Sequence, residues 1–436
     1  MSETNISRAQ RIIARCREIA QCTEVSGETT RTFLAPAMHR VHELLGGWMK
    51  AAGMSVRVDA VGNLRGVLQG AEEKAPRLLT GSHLDTVANA GAFDGVLGVV
   101  MGVALLEELA AQNAATGGVM PYAIEVIGFS EEEGVRFAKP FLGSLALIGE
   151  LRPEVLARTD ANGTTVAQAI RDFGLEPEEL SNAALDPAAF AYLEFHIEQG
   201  PVLESEGAAL AVVDAIAGQT RMTFTFTGHA NHAGTTPMGR LRQDALAAAA
   251  EWICEVERYA AATPGLVATV GKMEVPSGAS NVVPGMAIAT LDVRHAQDSV
   301  RHEANLHFMS AAEAACQKRG IELSTGGFDQ SAVPMDRTVT ALLGGSIAKS
   351  FCPPARTLTS GAGHDAMILA RRVPSAMLFL RSPGGVSHHP DETVLVEDVE
   401  AALKVGVEFL ARLRDDRAML DQLVLNARTY AEAAHA

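Results

Sequence analysis

Four segments of the chain combine histidines with carboxylates: GSHLDTVANAGAFDG, FSEEEG, FHIEQGPVLE and GGVSHHPDE. Imidazole and carboxylate are the donors that zinc-type ions take in hydrolytic enzymes. Each segment taken alone is as typical of a solvent-exposed turn or loop as it is of a metal site. Together they have the composition of a two-metal hydrolytic site, in which one carboxylate bridges ions about 3.5 to 4 Å apart. The candidate residues are His83, Asp85, Asp94, Glu131, Glu132, Glu133, His196, Glu198, Gln199, His388, His389 and Glu392.

The run Glu131, Glu132 and Glu133 follows an apolar strand pattern. Three adjacent carboxylates repel one another unless cations or solvent compensate, so the run is either a solvated turn or part of a cation site. Neighbouring side chains at a strand end point in opposite directions. One glutamate can therefore bind a metal while the next one moves protons.

A second group of polar residues lies in a different part of the chain. GHANHAGTTPM contains His229 and His232, SGASNVVPG contains Asn281, and LDVRH contains Arg294. Three interpretations of the two histidines remain open: they bind a metal ion, they bind substrate, or they only stabilise the fold. Arg294 suits bidentate capture of a carboxylate. The histidines of HEANLH miss the HExxH spacing by one residue, so we expect no metal site on that helix.

Composition and missing motifs exclude several classes of protein. The chain has 436 residues, with 36 Lys and Arg against 52 Asp and Glu, a net charge of −16, which argues against nucleic acid as a partner. There is no G-x-S-x-G, P-loop, G-x-G-x-x-G or C-x-x-C motif, so serine hydrolases, NTPases and dinucleotide enzymes have little support. No apolar run is long enough to cross a membrane and no secretory signal is visible, so we expect a cytoplasmic protein. The 5 cysteines fit reduced thiols.

Hydrophobic periodicity indicates the elements that hold these residues. It predicts helices over 6–22 and 35–53, then two strands joined by a Gly-Asn turn, a strand ending in GSHLDTV, a helix over 95–111 and a strand starting at Tyr122. Strand, helix and strand in this order are typical of an α/β domain. Ligands bind at the carboxyl ends of strands in such folds, where His83 and the glutamate run lie.

The pattern changes near Ala211, where alternating strands and two helices predict a small α+β sandwich. Helices and short apolar strands resume after Pro334, with a final helical region from about Val396. We therefore predict a discontinuous catalytic domain, 1–210 and 331–436, interrupted by an inserted domain over 211–330.

Eight blocks, in order, resemble the hydantoinase/carbamoylase group of M20-type dinuclear metal amidohydrolases: GSHLDTVANAGAFDG, SEEEGVRF, FHIEQGPVLE, HAGTTPM, SNVVPG, DVRH, SGAGHDA and SPGGVSHHPDE. The group includes N-carbamoyl-L-amino acid hydrolases, β-ureidopropionase and allantoate amidohydrolase. The resemblance covers about residues 30–412. It implies an α/β catalytic domain with a mixed sheet flanked by helices, and an inserted α+β lid and dimerisation domain.

Carried over by position, the resemblance implies two divalent metal ions per subunit, Zn²⁺ or else Mn²⁺, Co²⁺ or Ni²⁺. Asp94 would bridge them, His83 and His196 would bind one ion, and Glu133 and His388 the other. Glu132 looks like the general base, with Asp85 orienting His83 and Glu131 as an outer residue. Alignment on S-H-x-P favours His388 over His389.

The same resemblance implies substrate contacts from the inserted domain. His232 would stabilise the oxyanion, and Arg294 would hold a substrate carboxylate; the other candidates are Asn281, Gln199, Gly361 and Gly363. Relatives in the group dimerise through this domain, which implies a homodimer whose lid residues reach the partner's site. The stretch between HAGTTPM and Asp244 is one residue longer than expected, which leaves the start of the following helix open.

The resemblance therefore implies an enzyme that hydrolyses a linear ureido or amide C–N bond in a small carboxylate substrate. We expect N-carbamoyl-L-amino acids as substrates, giving ammonia, CO2 and the amino acid. Alternatives are an allantoate amidohydrolase, a peptidase or aminoacylase of the wider superfamily, and an inactive metal-containing binding protein. The presence of all five ligand candidates and the base disfavours the last. The residues do not decide the native metal, because such ligand sets accept several ions.

Overall fold

The computed structural model describes residues 6–116, 118–276, 278–351 and 355–433. Cys352 lies outside these ranges; Cys16, Cys22, Cys254 and Cys316 are free thiols, in keeping with the expectation of reduced cysteines. Among the described residues, no helix combines the length and apolar character needed to cross a bilayer.

The described chain forms two compact units. The second unit comprises Ala215–Pro334 and Thr359–Ala362, and the first comprises the described residues up to Asp214, Met335–Leu358 and those from Gly363 onward. The second unit corresponds to the inserted domain that the sequence pattern predicted over residues 211–330. The short segment from Thr359 joins the second unit because the Ser360 carbonyl accepts a hydrogen bond from the Ala217 amide. A contact between residues so far apart in the sequence cannot be predicted from local hydrophobic periodicity.

The helices are, in chain order, α1 (Arg8–Ala20), α2 (Ala37–Ala51), α3 (Val96–Thr116), α4 (Leu142–Leu147), α5 (Pro153–Leu156), α6 (Val166–Asp172), α7 (Val202–Ser205), α8 (Ala245–Ala262), α9 (Asp298–Arg319), α10 (Arg337–Phe351), α11 (Asp365–Leu369), α12 (Val396–Asp415) and α13 (Arg417–Ala433). Short 3-10 helices cover Pro177–Ala183 and Pro383–Gly385. The helix whose start the sequence left open begins at Ala245, because the Asp244 carboxylate caps it by accepting a hydrogen bond from the Ala247 amide.

The strands are β1 (Ser55–Val58), β2 (Leu64–Leu68), β3 (Arg77–His83), β4 (Ala123–Phe129), β5 (Ala189–Ile197), β6 (Leu210–Ile216), β7 (Gly218–Thr227), β8 (Asn231–His232), β9 (Val267–Glu274), β10 (Val282–Val283), β11 (Met286–His295), β12 (Glu322–Gln330), β13 (Val333–Pro334), β14 (Arg356–Ser360) and β15 (Ser375–Leu380). In the first unit they are ordered β1-β2-β4-β3-β5-β15-β6. Strands β4, β3, β5 and β15 run parallel, whereas β1, β2 and β6 are antiparallel to their neighbours.

Central strands of this mixed sheet are covered on both faces. Every residue of β4 and β5 is buried, as expected for near-continuous apolar strands between helices. Helix α3 packs along β3, β4 and β5. The predicted fold class, a mixed sheet flanked by helices with a second α+β unit, is confirmed.

The second unit is a four-stranded antiparallel sheet, ordered β12-β7-β11-β9, with α8 and α9 packed on it. The central strands β7 and β11 alternate between more buried and more exposed residues, as a sheet with one covered face requires. Phe224, Phe226, Trp252 and Phe308 form the aromatic part of its core. The unit therefore has a hydrophobic core of its own.

Candidate metal centre

The carboxyl ends of four parallel strands bring the candidate residues together. His83 is the last residue of β3, His196 lies one residue before the end of β5, and the glutamate run begins two residues after β4 ends. The loop that contains His388 follows β15. Because parallel strands end at the same edge of a sheet, residues far apart in the sequence meet there.

The first group of donor atoms belongs to His83, Asp94 and His196. One donor from each lies within 4.8 Å of the others, and all three residues are buried. Asp94 Oδ1 is 3.5 Å from His83 Nε2 and 3.2 Å from His196 Nε2. The same Oδ1 atom and His196 Nε2 have no hydrogen-bond partner among the described residues.

The hydrogen bonds of the two imidazoles show what this group can bind. His83 Nδ1 lies 3.0 Å from the Asp85 carbonyl oxygen, and His196 Nδ1 lies 2.9 Å from the Ile197 carbonyl oxygen. A carbonyl only accepts, so each Nδ1 carries a proton and each Nε2 faces Asp94. Without an ion, a proton on Nε2 stabilises the Asp94 carboxylate; once that proton leaves, the neutral ring presents a lone pair there. Lone pairs facing a carboxylate need a cation between them. The donor set therefore fits a divalent metal ion.

The second group consists of Asp94, Glu133 and His388, again with donor atoms within 4.8 Å of one another. His388 Nε2 is 3.2 Å from Asp94 Oδ2 and 3.6 Å from Glu133 Oε1. Asp94 thus turns Oδ1 to the first group and Oδ2 to the second. A carboxylate shared in this way is suited to bridge two ions.

The loop that contains Asp94 approaches β3 very closely. Gly95 follows Asp94 with φ +65°, and a Cβ atom at this position would lie 2.5 Å from the His83 ring. Only glycine satisfies both the backbone angle and the close approach. Gly95 therefore allows Asp94 and His83 to lie side by side.

Electrostatics within the cluster reflect the packing of many acids in one place. Burial, and then the Glu133, Asp365 and Asp85 carboxylates, raise the pKa of Glu132 well above its usual range, although His83 opposes this. Burial and the Asp94 carboxylate raise the pKa of Glu133 to about 7. Added positive charge would return both groups to the ionised form that binds metal and accepts protons.

Asp85 contacts both His83 and the glutamate run. Its carboxylate accepts hydrogen bonds from the backbone amides of Glu132 (2.9 Å) and Glu133 (3.1 Å) and lies 3.4 Å from His83 Nδ1. We predicted that Asp85 orients His83. The Asp85 carbonyl oxygen lies closer to this nitrogen, at 3.0 Å, so the backbone and the carboxylate of Asp85 both face His83, and its role in orienting His83 stays a prediction.

Two neighbours that we considered as ligands lie outside the groups of donor atoms found in the described residues. Glu131 is buried, and its Oε2 atom is 3.4 Å from the Leu142 amide nitrogen. His389 is exposed, and its Nδ1 atom accepts a hydrogen bond from the Asp391 amide. Of the three adjacent glutamates, Glu132 and Glu133 lie at the cluster. Of the two adjacent histidines, His388 does.

Gln199 and Gly363 lie at the cluster as well. Gln199 donates from Nε2 to Asp94 Oδ2 at 3.0 Å, and its backbone adopts φ +60°. A positive φ is uncommon for a residue other than glycine and is frequent at functional sites. A Cβ atom at Gly363 would lie 3.5 Å from Glu132 Oε1. Gln199 therefore supports Asp94 directly, and Gly363 leaves space beside Glu132.

The other predicted substrate residues lie in the second unit. His232 and Asn281 meet there, since the Ala233 amide donates to the Asn281 carbonyl and β8 pairs with β10. Arg294 donates from Nε and Nη2 to the Asp292 carboxylate, at 2.8 and 3.0 Å, and from Nη1 to the Gly361 carbonyl at 2.5 Å. The structure thus forms two pairs, His232 with Asn281 and Arg294 with Gly361.

Glu194, His364 and Glu392 are buried residues of this region for which no role was predicted. Glu194, His196 and His364 form another group of possible ligand atoms within 4.8 Å, and the His364 ring lies 4.4 Å from that of His196. Glu392 was noted only as a member of its loop, yet its carboxylate contacts the backbone of Asp94. The block SGAGHDA was a signal for His364, but its buried environment becomes apparent only in the fold.

Comparisons with known proteins agree with this geometry. Residues 79–413 match peptidase family M20/M25/M40. The chain is 38% identical over 429 residues to an allantoate deiminase of Arabidopsis thaliana, covering 91% of this chain and 81% of the relative. It is 38% identical over 403 residues to an N-carbamoyl-L-amino acid amidohydrolase of Geobacillus stearothermophilus, covering 92% and 96%.

A solved structure is similar over nearly the whole chain. It is an amidase of the hydantoinase/carbamoylase family from Burkholderia multivorans, with a TM-score of 0.85 and 31% identity, covering 94% of this chain and 98% of that one. The sequence-based assignment is confirmed: this chain belongs to peptidase family M20/M25/M40, in its hydantoinase/carbamoylase group.

Proposed function

We propose that this protein is an amidohydrolase that uses two divalent metal ions to cleave the ureido C–N bond of N-carbamoyl-L-amino acids. The observation that carries the proposal is the Asp94 carboxylate, whose two oxygens face two separate groups of donor atoms. His83 and His196 would bind one ion, and Glu133 and His388 the other, with Asp94 between them. Zn²⁺, Mn²⁺, Co²⁺ and Ni²⁺ all suit such donors.

The two ions, when bound, supply a lowered pKa for a water molecule and polarisation of the scissile carbonyl. Glu132 accepts the proton of that water and later delivers it to the leaving nitrogen. The Glu132 backbone is held by Asp85, which fixes where its side chain starts. Water adds to the ureido carbon and the C–N bonds break, so one water and one N-carbamoyl amino acid give ammonia, CO2 and the amino acid.

His232 is the proposed donor to the oxyanion. Its Nδ1 atom accepts hydrogen bonds from the Gly234 and Thr235 amides at 3.1 and 3.2 Å. The neutral ring therefore carries its proton on Nε2, from which it can donate to an oxyanion. One such donor contributes about 3 to 4 kcal/mol to stabilisation of the transition state in other acyl-transfer enzymes.

Arg294 is the proposed partner of the substrate carboxylate, with Asn281, Gln199 and the glycines Gly361 and Gly363 as further contacts. Asp292 fixes the guanidinium by two hydrogen bonds, as noted above. Gln219 and Arg221 in turn donate to Asp292. This network holds the orientation of Arg294 before substrate binds, which reduces the entropic cost of binding.

A second candidate is hydrolysis of allantoate, because relatives named for that activity are as similar to this chain as those named for carbamoyl amino acids. Both substrates combine a ureido group with a carboxylate. The same cluster would serve either reaction, and the shape of the pocket around the variable part of the substrate would decide between them.

The test is ammonia release by apoprotein reconstituted in turn with Zn²⁺, Mn²⁺, Co²⁺ and Ni²⁺. Several N-carbamoyl-L-amino acids and allantoate are offered in parallel, with dipeptides and N-acyl amino acids as controls. We expect ammonia from the carbamoyl amino acids. Ammonia from allantoate alone would favour the second candidate, and cleavage of dipeptides or N-acyl substrates without ammonia would reject both.

We also propose that the protein is a homodimer that associates through the second unit. Sedimentation velocity of the full chain checks this, with a mass of twice 45.9 kDa as the expected result. A monomer at micromolar concentration would contradict it.

A further inference from the structure

We propose that Glu392 is a positioning residue that fixes Asp94 relative to His388 and so sets the metal affinity of the centre. The inference rests on the proposed function, since it concerns the same two ions. Glu392 is buried, with 5% of its surface exposed. It is not in any of the groups of donor atoms found among the described residues, so its role there differs from that of a ligand.

Both carboxylate oxygens of Glu392 are occupied by donors from two loops. Oε1 accepts hydrogen bonds from the Phe93 amide at 2.9 Å and the Asp94 amide at 3.0 Å. Oε2 accepts one from the Ser387 hydroxyl at 3.2 Å. Glu392 thus ties the backbone of Asp94 to the residue that precedes His388.

Gly91 shows how closely the two loops approach each other. A Cβ atom at this position would lie 2.3 Å from Glu392 Cβ and 2.5 Å from its Oε1. No side chain fits there while Glu392 keeps its position. The glycines on either side of Asp94 therefore allow two close approaches, Gly91 to Glu392 and Gly95 to His83.

The connection matters because the backbone of His388 is held in an unfavourable conformation. This residue is half exposed and has φ +55°, a backbone conformation that is costly for a residue other than glycine. Surrounding contacts must maintain it, and the Ser387 to Glu392 hydrogen bond lies next to it. Gln199 Nε2 and the Ser387 hydroxyl also contact Asp94 Oδ2, at 3.0 and 3.5 Å, but Glu392 is the group that holds the Asp94 backbone. If Glu392 is removed, the 3.2 Å distance between Asp94 Oδ2 and His388 Nε2 loses that support.

The experiment measures the dissociation constant of Mn²⁺ by calorimetry on full-length apoprotein, together with the melting temperature. We expect Glu392→Ala to weaken Mn²⁺ binding on the order of 10- to 100-fold, the range found when residues that support metal ligands are removed. Glu392→Gln keeps an oxygen that can accept both backbone amides, so it should stay within roughly 3-fold of the wild type.

Asp336→Ala is the matched control. The Asp336 carboxylate also accepts two backbone amides, from Thr338 and Val339, and one hydroxyl, from Tyr430, but it takes no part in the cluster. This variant should melt at a lower temperature and bind Mn²⁺ as the wild type does. A purely structural role for Glu392 would give the same result in Glu392→Ala, and that result would overturn the inference.

Gly91→Ala keeps the test decisive if Glu392→Ala does not fold. The added methyl group displaces the Glu392 side chain without removing any hydrogen-bonding group, so Mn²⁺ binding should again weaken. Unchanged binding in a folded Gly91→Ala variant would overturn the inference. Failure of the wild type itself to bind Mn²⁺ or the other three ions would instead reject the proposed function.

Discussion

Asp94 occupies the centre of the cluster because of contacts on both sides of its carboxylate. Burial alone would raise its pKa, but His196, His388 and His83 outweigh burial and hold the pKa well below its usual range. Gln199 donates to one of its oxygens and Glu392 holds its backbone. Asp94 is therefore anionic and fixed in orientation before any ion binds.

At the residue scale we predict that Glu132→Gln retains both metal ions and loses turnover. The amide has the shape of the acid but cannot accept the proton, and removal of a general base costs on the order of 10² to 10⁴ in kcat. Ammonia release and metal content by elemental analysis are measured on the same sample.

Glu131→Gln is the matched control, because this glutamate is equally buried and adjacent but belongs to none of the ligand groups in the described chain. It should keep kcat within a few-fold of the wild type. Normal kcat in Glu132→Gln, or an equal loss in both variants, would refute the assignment of Glu132 as the base.

At the element scale, local patterns predicted most helices and strands. The expected helices over 6–22 and 35–53 are Arg8–Ala20 and Ala37–Ala51, and Gly53 follows the second with φ +86°. The final helical region is two helices, because Asp416 leaves helical geometry and its carboxylate caps α13 through the Met419 amide. An aspartate inside a helical pattern is a local signal for such a break.

Contacts between distant segments could not be predicted in this way. Residue types identified the four ligand-bearing segments, and only the resemblance implied that Asp94 lies between two groups of ligands. Local patterns could not give this arrangement, because it depends on the order of the strands in the sheet. Likewise, the second unit begins at Ala215 rather than 211, because β6 pairs with β15 of the first unit up to Val212. Alternation of apolar residues does not indicate which sheet a strand joins.

A prediction for stability concerns His42 on α2. Burial, with a smaller effect of His39, lowers the pKa of His42 to about 4 from 6.5, and its Nε2 atom has no hydrogen-bond partner in the described part of the chain. Between pH 6.5 and pH 4 the unfolded chain binds a proton at His42 and the folded chain does not. The free energy of unfolding is therefore highest above pH 6.5 and falls as the pH decreases. The loss is about 2 kcal/mol between pH 8 and pH 5.

Urea unfolding of the wild type, His42→Leu and His42→Gln at both pH values measures this effect. The two variants cannot titrate at this position, so both should lose about 2 kcal/mol less stability than the wild type on acidification, whatever their packing cost at pH 8. An identical pH dependence in all three proteins would show that His42 contributes nothing to it.

At the scale of the whole molecule, the folded chain concentrates acids at one edge of its main sheet. Asp85, Asp94, Glu132 and Glu133 lie together there in a protein of net charge −16. Divalent ions bound at this edge would offset the repulsion. Ions that bind only the folded chain also stabilise it by mass action, by about 2.7 kcal/mol at a free concentration 100 times the dissociation constant.

We therefore predict that complete chelation lowers the melting temperature and that Mn²⁺, Zn²⁺, Co²⁺ or Ni²⁺ restores it. Differential scanning calorimetry of holoprotein, apoprotein and reconstituted protein measures the shift. Asp94→Ala is the control, since without the shared carboxylate added metal should leave its melting temperature unchanged. Equal melting temperatures for wild-type apoprotein and holoprotein would contradict the prediction.

The strand order has a further consequence for how the protein is synthesised. Strand β15 lies between β5 and β6, although almost 160 residues of chain, including the second unit, separate it from β6. A ribosome therefore exposes β3, β4 and β5 long before the strand that completes their edge, and His388 emerges later still. Nascent chains carry an incomplete ion site for most of translation. The donor group of His83, Asp94 and His196 is present before the second unit is made, whereas the group that includes His388 needs nearly the full chain. An abortive product that stops before β15 would therefore lack the second group.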